Sequence, residues 1–188
     1  MNINRKITFN SQLKQGCVLI IGGAKSGKSR FALDFCQQTG KELIFLATAQ
    51  AKDQEMAERI RRHQKERGRN WLTIEEPLDI VGRIREFDNP NTVILLDCLV
   101  LWMNNLYMKY GDDFKSIDQE IDTLVNHLLK VRGLVVIVSN ELGMSIIPDN
   151  PLAREFRDRI GILNQRIAGL SQKVVMMTAG LPLILKDD

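Results

Sequence analysis

The sequence predicts an α/β fold, a mostly parallel sheet covered by helices on both faces. Two observations predict it. Short unbroken apolar runs such as Cys17–Ile21, Thr92–Leu96 and Leu134–Ser139 read as strands buried on both sides. Between them lie stretches of helical periodicity, and strands alternating with helices build parallel sheets. The chain has 188 residues, 44% hydrophobic and 26% charged. That length suits one core, and that composition excludes a wholly disordered chain.

The elements follow in order. Residues 1–16 are polar and weakly patterned, which predicts a disordered arm or a short strand around Ile7 to Phe9. Residues 17–188 form the single expected domain. Cys17–Ile21 is the first strand and runs into two glycines. Lys28–Thr39 is a helix closed by Gly40, and Glu42–Thr48 the next strand. Asp53–Arg67 is a charged helix stopped by Gly68, and Trp71–Glu75 a strand ended by Pro77. Asp79–Phe87 is a short helix, followed by an Asp-Asn-Pro-Asn turn and the strand Thr92–Leu96. Ile117, Ile121, Leu124, Leu128 and Val131 mark one face of an amphipathic helix. Leu134–Ser139 is a strand. Leu152, Phe156, Ile160, Leu163, Ile167 and Leu170 trace a second helical stripe. Lys173–Thr178 is the last core strand, with a short partner at Leu183–Leu185.

No apolar run approaches the roughly 20 residues of a membrane span, and the N-terminus lacks the apolar stretch of a secretory signal. Cys17, Cys36 and Cys98 have neither disulfide nor zinc spacing and read as small buried hydrophobes of a reducing cytoplasm. A net charge of +3 is too small to argue for nucleic acid.

Gly22-Gly23-Ala24-Lys25-Ser26-Gly27-Lys28-Ser29 matches the phosphate-loop pattern G-x-x-x-x-G-K-[ST], after a strand and before a helix. Its glycines let successive N–H groups turn toward phosphate oxygens, and the helix adds its positive end. Lys28 is expected at the β- and γ-phosphates and Ser29 on Mg²⁺. Asp97 ends an apolar strand, as the acid that positions the metal does in such proteins. The fold class narrows to a P-loop NTPase of RecA-like type. The acceptor is not named by these residues.

His63 stands one helical turn from Arg59 and from Arg67. Neighbouring cations favour its neutral, nucleophilic form. On the residues alone, a solvated basic helix with one surface histidine is the better reading. His127, beside an ordinary apolar stripe, reads as structural, and Trp71 and Trp102 as packing residues.

Four separated motifs resemble one family. They are GGAKSGKSR, then FLATAQAKDQEMAERIRRHQKERGRNWLTIEEP, then ILLDCLVLWMNNL, and finally SNELGMSIIPDNPLAREFRDRIGILNQRIA. Together they resemble the bifunctional adenosylcobinamide kinase/adenosylcobinamide-phosphate guanylyltransferases of cobalamin biosynthesis, from about Cys17 to the C-terminus. The resemblance implies that His63 is the residue that becomes guanylylated. It implies nucleotide contacts at Gly22–Ser29, at Ala47, Thr48 and Ala49, at Gln64, Lys65, Glu66 and Arg67, and at Glu75 and Asp97. It implies GTP and ATP as nucleotides, Mg²⁺ as the metal, a corrinoid acceptor, and a cytoplasmic homo-oligomer, a trimer. The arm before Cys17 is longer than the family pattern. Asp97 stands where the pattern also allows Glu, and its shorter reach suits a bridging water.

Asn140-Glu141, at the end of a core strand, and the Arg154/Arg157/Asp158 cluster have two readings. They line the corrinoid side, or they are simply the start of a helix with Asp149/Asn150 as cap and Pro151 in the first turn. Three rivals to the family reading stand. A plain P-loop kinase of another small hydroxyl substrate would form no covalent intermediate. A RecA-like ATPase on nucleic acid would need a basic stripe with aromatics, against which the 6% aromatic content speaks. A non-catalytic nucleotide sensor would have no use for a metal acid such as Asp97.

Overall fold

Strand residues sort by parity onto two faces. In β1 (Gly16–Gly22), Cys17, Leu19 and Ile21 enter one apolar cluster, whereas Val18 and Ile20 enter the other. Both faces are therefore covered, and the strand needs no polar side. The computed structural model describes residues 13–50, 54, 58, 67, 68 and 70–188.

The other strands are β2 (Glu42–Ala47), β3 (Trp71–Glu75), β4 (Thr92–Asp97), β5 (Leu134–Val138), β6 (Lys173–Thr178) and β7 (Leu181–Asp187). They form one sheet in the order β3-β2-β4-β5-β1-β6-β7. Every pairing is parallel except β6 with β7, which is antiparallel. The predicted α/β class is what the chain adopts. The described helices are α1 (Lys28–Gln37), α2 (Ile80–Phe87), α3 (Leu99–Tyr110), α4 (Phe114–Leu128) and α5 (Pro151–Leu170). α1 covers the Val18/Ile20 face, and α2 to α5 cover the other.

Helix starts are fixed by short acceptors. Asp79 accepts from Gly82 N, Asp113 from Ser116 N, and Asn150 from Leu152 N and Ala153 N. α1 differs: its cap is Gly27, with no side-chain hydrogen bond.

The structure departs from the sequence reading in several places. α3 was not foreseen. Leu99, Trp102, Met103 and Leu106 form one fully buried face, but apolar residues such as Met108, 71% exposed, also sit on the outward side, so the hydrophobic period is masked in the sequence. β1 begins at Gly16, whose N–H donates to Gly133 O, so the sheet reaches into the expected arm. Val131 lies beyond the end of α4, and Leu152 is half-exposed rather than core. β7 is longer than expected, and four of its apolar side chains are exposed on an edge strand.

Trp102 packs as expected, fully buried with Nε1 donating to Leu78 O at 2.9 Å. Trp71 meets Phe45 edge-on at 6.1 Å. Cys17 and Cys36 are free and buried, and Cys98 is free and partly buried. Among the described residues no helix is long and apolar enough to cross a membrane. The possible strand at Ile7–Phe9 lies outside the described residues, as does most of the charged segment Asp53–Arg67, of which Gln54, Glu58 and Arg67 are helical.

Candidate functional site

In a parallel sheet the loops that follow the strands gather at one edge, where ligands of α/β proteins bind. Here that edge begins with the turn after β1. Gly22 has φ +154°, and a Cβ on it would lie 2.6 Å from Met177 O and 2.7 Å from Ser26 Oγ. No other residue fits there without displacing backbone. Gly27, at φ +94°, turns the chain into α1. The loop is braced by Ser26 N donating to Gly23 O at 3.2 Å and Gly180 N donating to Ser26 O at 3.0 Å.

Within this brace the helix start and one hydroxyl face inward without a side-chain partner. No side chain caps the first turn of α1, and Ser26 Oγ is buried without a hydrogen-bond partner. Such a turn offers N–H groups and a helix dipole to an anion. Lys28 Nζ folds back onto Gly23 O at 3.0 Å, beside the concavity.

The acids stand in one row. Glu75, Ala47 and Asp97 are aligned across β3, β2 and β4, and Asp97 is in register with Val138 of β5. The row continues toward the loop, because Ser139 N donates to Ile20 O at 3.0 Å and Glu141 N to Gly22 O at 3.2 Å. Arg67 is 6% exposed and lies 3.6 Å above the Phe45 ring. Burial lowers its pKa, while the charges of Asp97 and Glu75 oppose that shift. A planar guanidinium suits such a stacked, acid-facing position.

Thr48 is fully buried, and its hydroxyl is spent. Oγ1 donates to Cys98 O at 2.8 Å and accepts from Cys98 N at 2.9 Å. Its carbonyl accepts from Asn105 Nδ2 at 2.8 Å. The Cys98 thiol is pushed up to about 11 by burial and, secondarily, by Asp97, so it stays protonated at neutral pH and is no nucleophile there.

The structure thus brings Gly22–Ser29, Ala47–Ala49, Glu75, Asp97 and Arg67 to one edge of the sheet. His63, Gln64, Lys65 and Glu66 lie outside the described residues, as does Arg59. Of the two readings for the helix start near residue 150, the capping one is seen directly. Asn150 caps α5, and Arg154 Nη1 donates to Pro148 O and Asp149 O at 2.9 and 2.8 Å. Arg157 pairs with its neighbour Asp158.

Three contributors escaped the sequence reading: Asn105, Gly180 and Asn164, whose Nδ2 donates to Asn140 O at 3.0 Å. Asn105 and Asn164 are buried amides on otherwise apolar helix faces, and that mismatch was the available signal. Gly180 carried none.

Oxygen donors for a hard cation are at hand in the Ser29 hydroxyl and the Asp97 carboxylate. The described residues contain no group of three or more His, Cys, Asp or Glu that could hold a metal. A hydroxyl and a carboxylate are the kind of donors a hard cation takes beside substrate phosphates.

Fold and loop together define a phosphate-loop nucleotide-binding protein. Solved structures agree at the level of fold. An ATPase from the type III secretion system of pathogenic bacteria superposes with a TM-score of 0.53 at 14% identity, over 87% of this chain and 51% of that one, so the chain spans about half of it. The flagellar accessory protein FlaH of Methanocaldococcus jannaschii superposes with a TM-score of 0.51 at 12% identity, over 92% and 79%.

The sequence relatives are more specific. The family model for cobinamide kinase / cobinamide phosphate guanyltransferase, CobU, matches residues 18–185, and the chain belongs to that family. The bifunctional adenosylcobalamin biosynthesis protein CobP of Pseudomonas aeruginosa is 39% identical over 90% of this chain and 97% of its own. The protein of the same description, CobU, from Escherichia coli K12 is 35% identical over 90% and 99%.

Proposed function

We propose that this chain phosphorylates the aminopropanol hydroxyl of adenosylcobinamide with ATP or GTP. It then transfers GMP from GTP to the product through a guanylylated His63. The observation that carries the reading is the braced loop Gly22–Ser29, which opens an uncapped helix and holds the unpartnered Ser26 hydroxyl, at one sheet edge with Asp97 and Glu75, in a chain of this family.

In the kinase step the acceptor oxygen attacks the γ-phosphorus, the bond to the β–γ bridging oxygen breaks, and the nucleoside diphosphate leaves. The loop N–H groups and Lys28 stabilise charge on the equatorial oxygens. Lys28 would exchange its Gly23 carbonyl partner for phosphate, a small movement of a flexible stem. Ser29 and Asp97 would hold magnesium. Magnesium, when bound, neutralises phosphate oxygens and fixes their geometry.

In the transfer step a neutral His63 nitrogen attacks the α-phosphorus of GTP, pyrophosphate leaves, and a P–N bond forms. A phosphate oxygen of adenosylcobinamide phosphate then attacks the same phosphorus, the P–N bond breaks, and adenosylcobinamide-GDP is released. Cys98 offers no competing nucleophile at neutral pH. Arg59, Arg67 and Lys65 would neutralise the α-phosphate and the departing pyrophosphate, and the charges of Asp97 and Glu75 keep Arg67 in its cationic form against burial. We take the enzyme to be a cytoplasmic homo-oligomer acting without nucleic acid or membrane.

Covalent labelling tests this. Wild-type protein given α-labelled GTP should hold label through alkali and lose it in mild acid, as a phosphoramidate does. His63→Ala should take up none and should still transfer a γ-phosphate. Label persisting in His63→Ala, or wild-type protein that never labels, would leave the simple kinase.

A further inference from the structure

Between Asp97, the last residue of β4, and Leu99, the first of α3, stands a single residue, Cys98. The direction of the Asp97 carboxylate therefore depends on how that one link is held. Cys98 is the cap residue of α3 and makes no side-chain capping bond. The link is held instead from the neighbouring strand, by Thr48, which follows the last residue of β2. Thr48 N donates to Asp97 O at 3.2 Å, carrying the β2–β4 pairing one bond beyond the Ala47–Asp97 register. Its hydroxyl grips Cys98 twice, donating to Cys98 O at 2.8 Å and accepting from Cys98 N at 2.9 Å. The grip is closed from α3 itself, since Asn105 Nδ2 donates to Thr48 O at 2.8 Å.

Two arguments make this more than packing. A buried hydroxyl is costly unless its hydrogen bonds are made, and a valine would fill nearly the same space without one. Here every bond of the hydroxyl goes to the residue that follows the acid. The second argument concerns donors. Thr48 is fully buried, its N–H is spent on Asp97 O, and its hydroxyl proton is spent on Cys98 O. It has no donor left for a phosphate or a base, so the nucleotide contact that the family resemblance implies at Thr48 is not made by its side chain. Loss of the hydroxyl would instead take the acceptor from Cys98 N–H, directly behind Asp97. Groups that hold a metal-binding side chain from behind govern its affinity nearly as strongly as the ligand does.

We propose that Thr48 is a positioning residue for the metal acid: its buried hydroxyl, clasping the N–H and C=O of Cys98, holds the end of β4 so that the Asp97 carboxylate meets the metal beside the phosphate loop. Thr48 itself touches neither nucleotide nor metal. This rests on the function proposed above, and on Asp97 as the residue that holds magnesium. It deepens that reading, because it turns a residue expected to contact the nucleotide into one that acts only through Asp97.

The test reads metal binding as well as rate. With GDP present and no acceptor, Mn²⁺ binding is followed by water-proton relaxation. Thr48→Val should weaken it on the order of tenfold, and the magnesium concentration for half-maximal transfer should rise by a similar factor. Thr48→Ser keeps the hydroxyl and should return both to within about twofold of wild type. Thr92→Val controls for stability. Thr92 is buried at the other end of β4, and its hydroxyl donates to Phe87 O at 2.8 Å and to Asn89 O at 3.0 Å. That variant should lower the urea midpoint and leave Mn²⁺ binding unchanged. Where Thr48→Val does not fold, Thr48→Cys, of similar size with a weaker hydrogen-bonding group, should weaken Mn²⁺ by at least about threefold. Mn²⁺ affinity within about twofold of wild type in the folded variant overturns the proposal, as does an equal loss in Thr48→Ser or Thr92→Val. Asp97→Asn tells this inference from the one beneath it. If Asp97→Asn weakens Mn²⁺ and Thr48→Val does not, only the role of Thr48 falls. If Asp97→Asn binds Mn²⁺ as wild type does, the metal acid falls with it.

Discussion

The side-chain amide of Asn105 donates to Thr48 O at 2.8 Å and to Pro77 O at 3.0 Å. One buried residue of α3 thereby fixes the loops that follow β2 and β3, on either side of the Glu75–Asp97 row. Asn105→Leu leaves two carbonyls short of a donor and should cost about 1–3 kcal/mol of stability. Urea denaturation of the variant checks this, with the midpoint lowered and the slope kept.

Lys28→Ala should lower both activities by on the order of 10²–10³-fold, since both reactions place a triphosphate in one loop. The ammonium donates to the Gly23 carbonyl within the same loop, outside the apolar clusters, so the fold should persist. Circular dichroism together with GTP turnover checks it. Normal turnover by the folded variant would place the triphosphate elsewhere.

Asp97→Asn removes the charge proposed to position magnesium. The rate should fall by about 10²-fold or more, and the magnesium concentration for half-maximal rate should rise. Arg67 also loses an opposing charge beneath a buried guanidinium, so a small loss of stability should accompany it. An unchanged magnesium dependence would count against Asp97 as the metal acid.

Burial raises the Cys17 thiol from 9.0 to about 12. A group whose folded pKa lies above its unfolded value contributes stability that is full below the unfolded pKa and is lost as pH rises through the folded one. Stability should therefore decline between about pH 9 and pH 12, and Cys17→Ala should flatten that slope. At pH 8 the native thiol should resist a disulfide reagent that reacts at once after denaturation. Rapid native reaction would contradict the burial.

The strands of the core were legible because buried runs such as Val93–Leu96 and Leu134–Val138 admit few other structures. The phosphate loop was legible because its chemistry is local: Gly22, Gly27, Lys28 and Ser29 act within one turn of chain. Asp97 was readable as a strand end, and the four family motifs are contiguous stretches. α3 was not readable, since apolar residues such as Met108 on its outward side hide the period of its buried face. Nor was the strand order, which puts β4 and β5 between β2 and β1. Only the folded chain set Glu75 in line with Asp97, laid Arg67 on Phe45, and joined Asn105 to Thr48 across 57 residues. These are long-range pairings, chosen by which side chains can share a buried space and partner most of its polar groups, and no local pattern in the sequence records that choice.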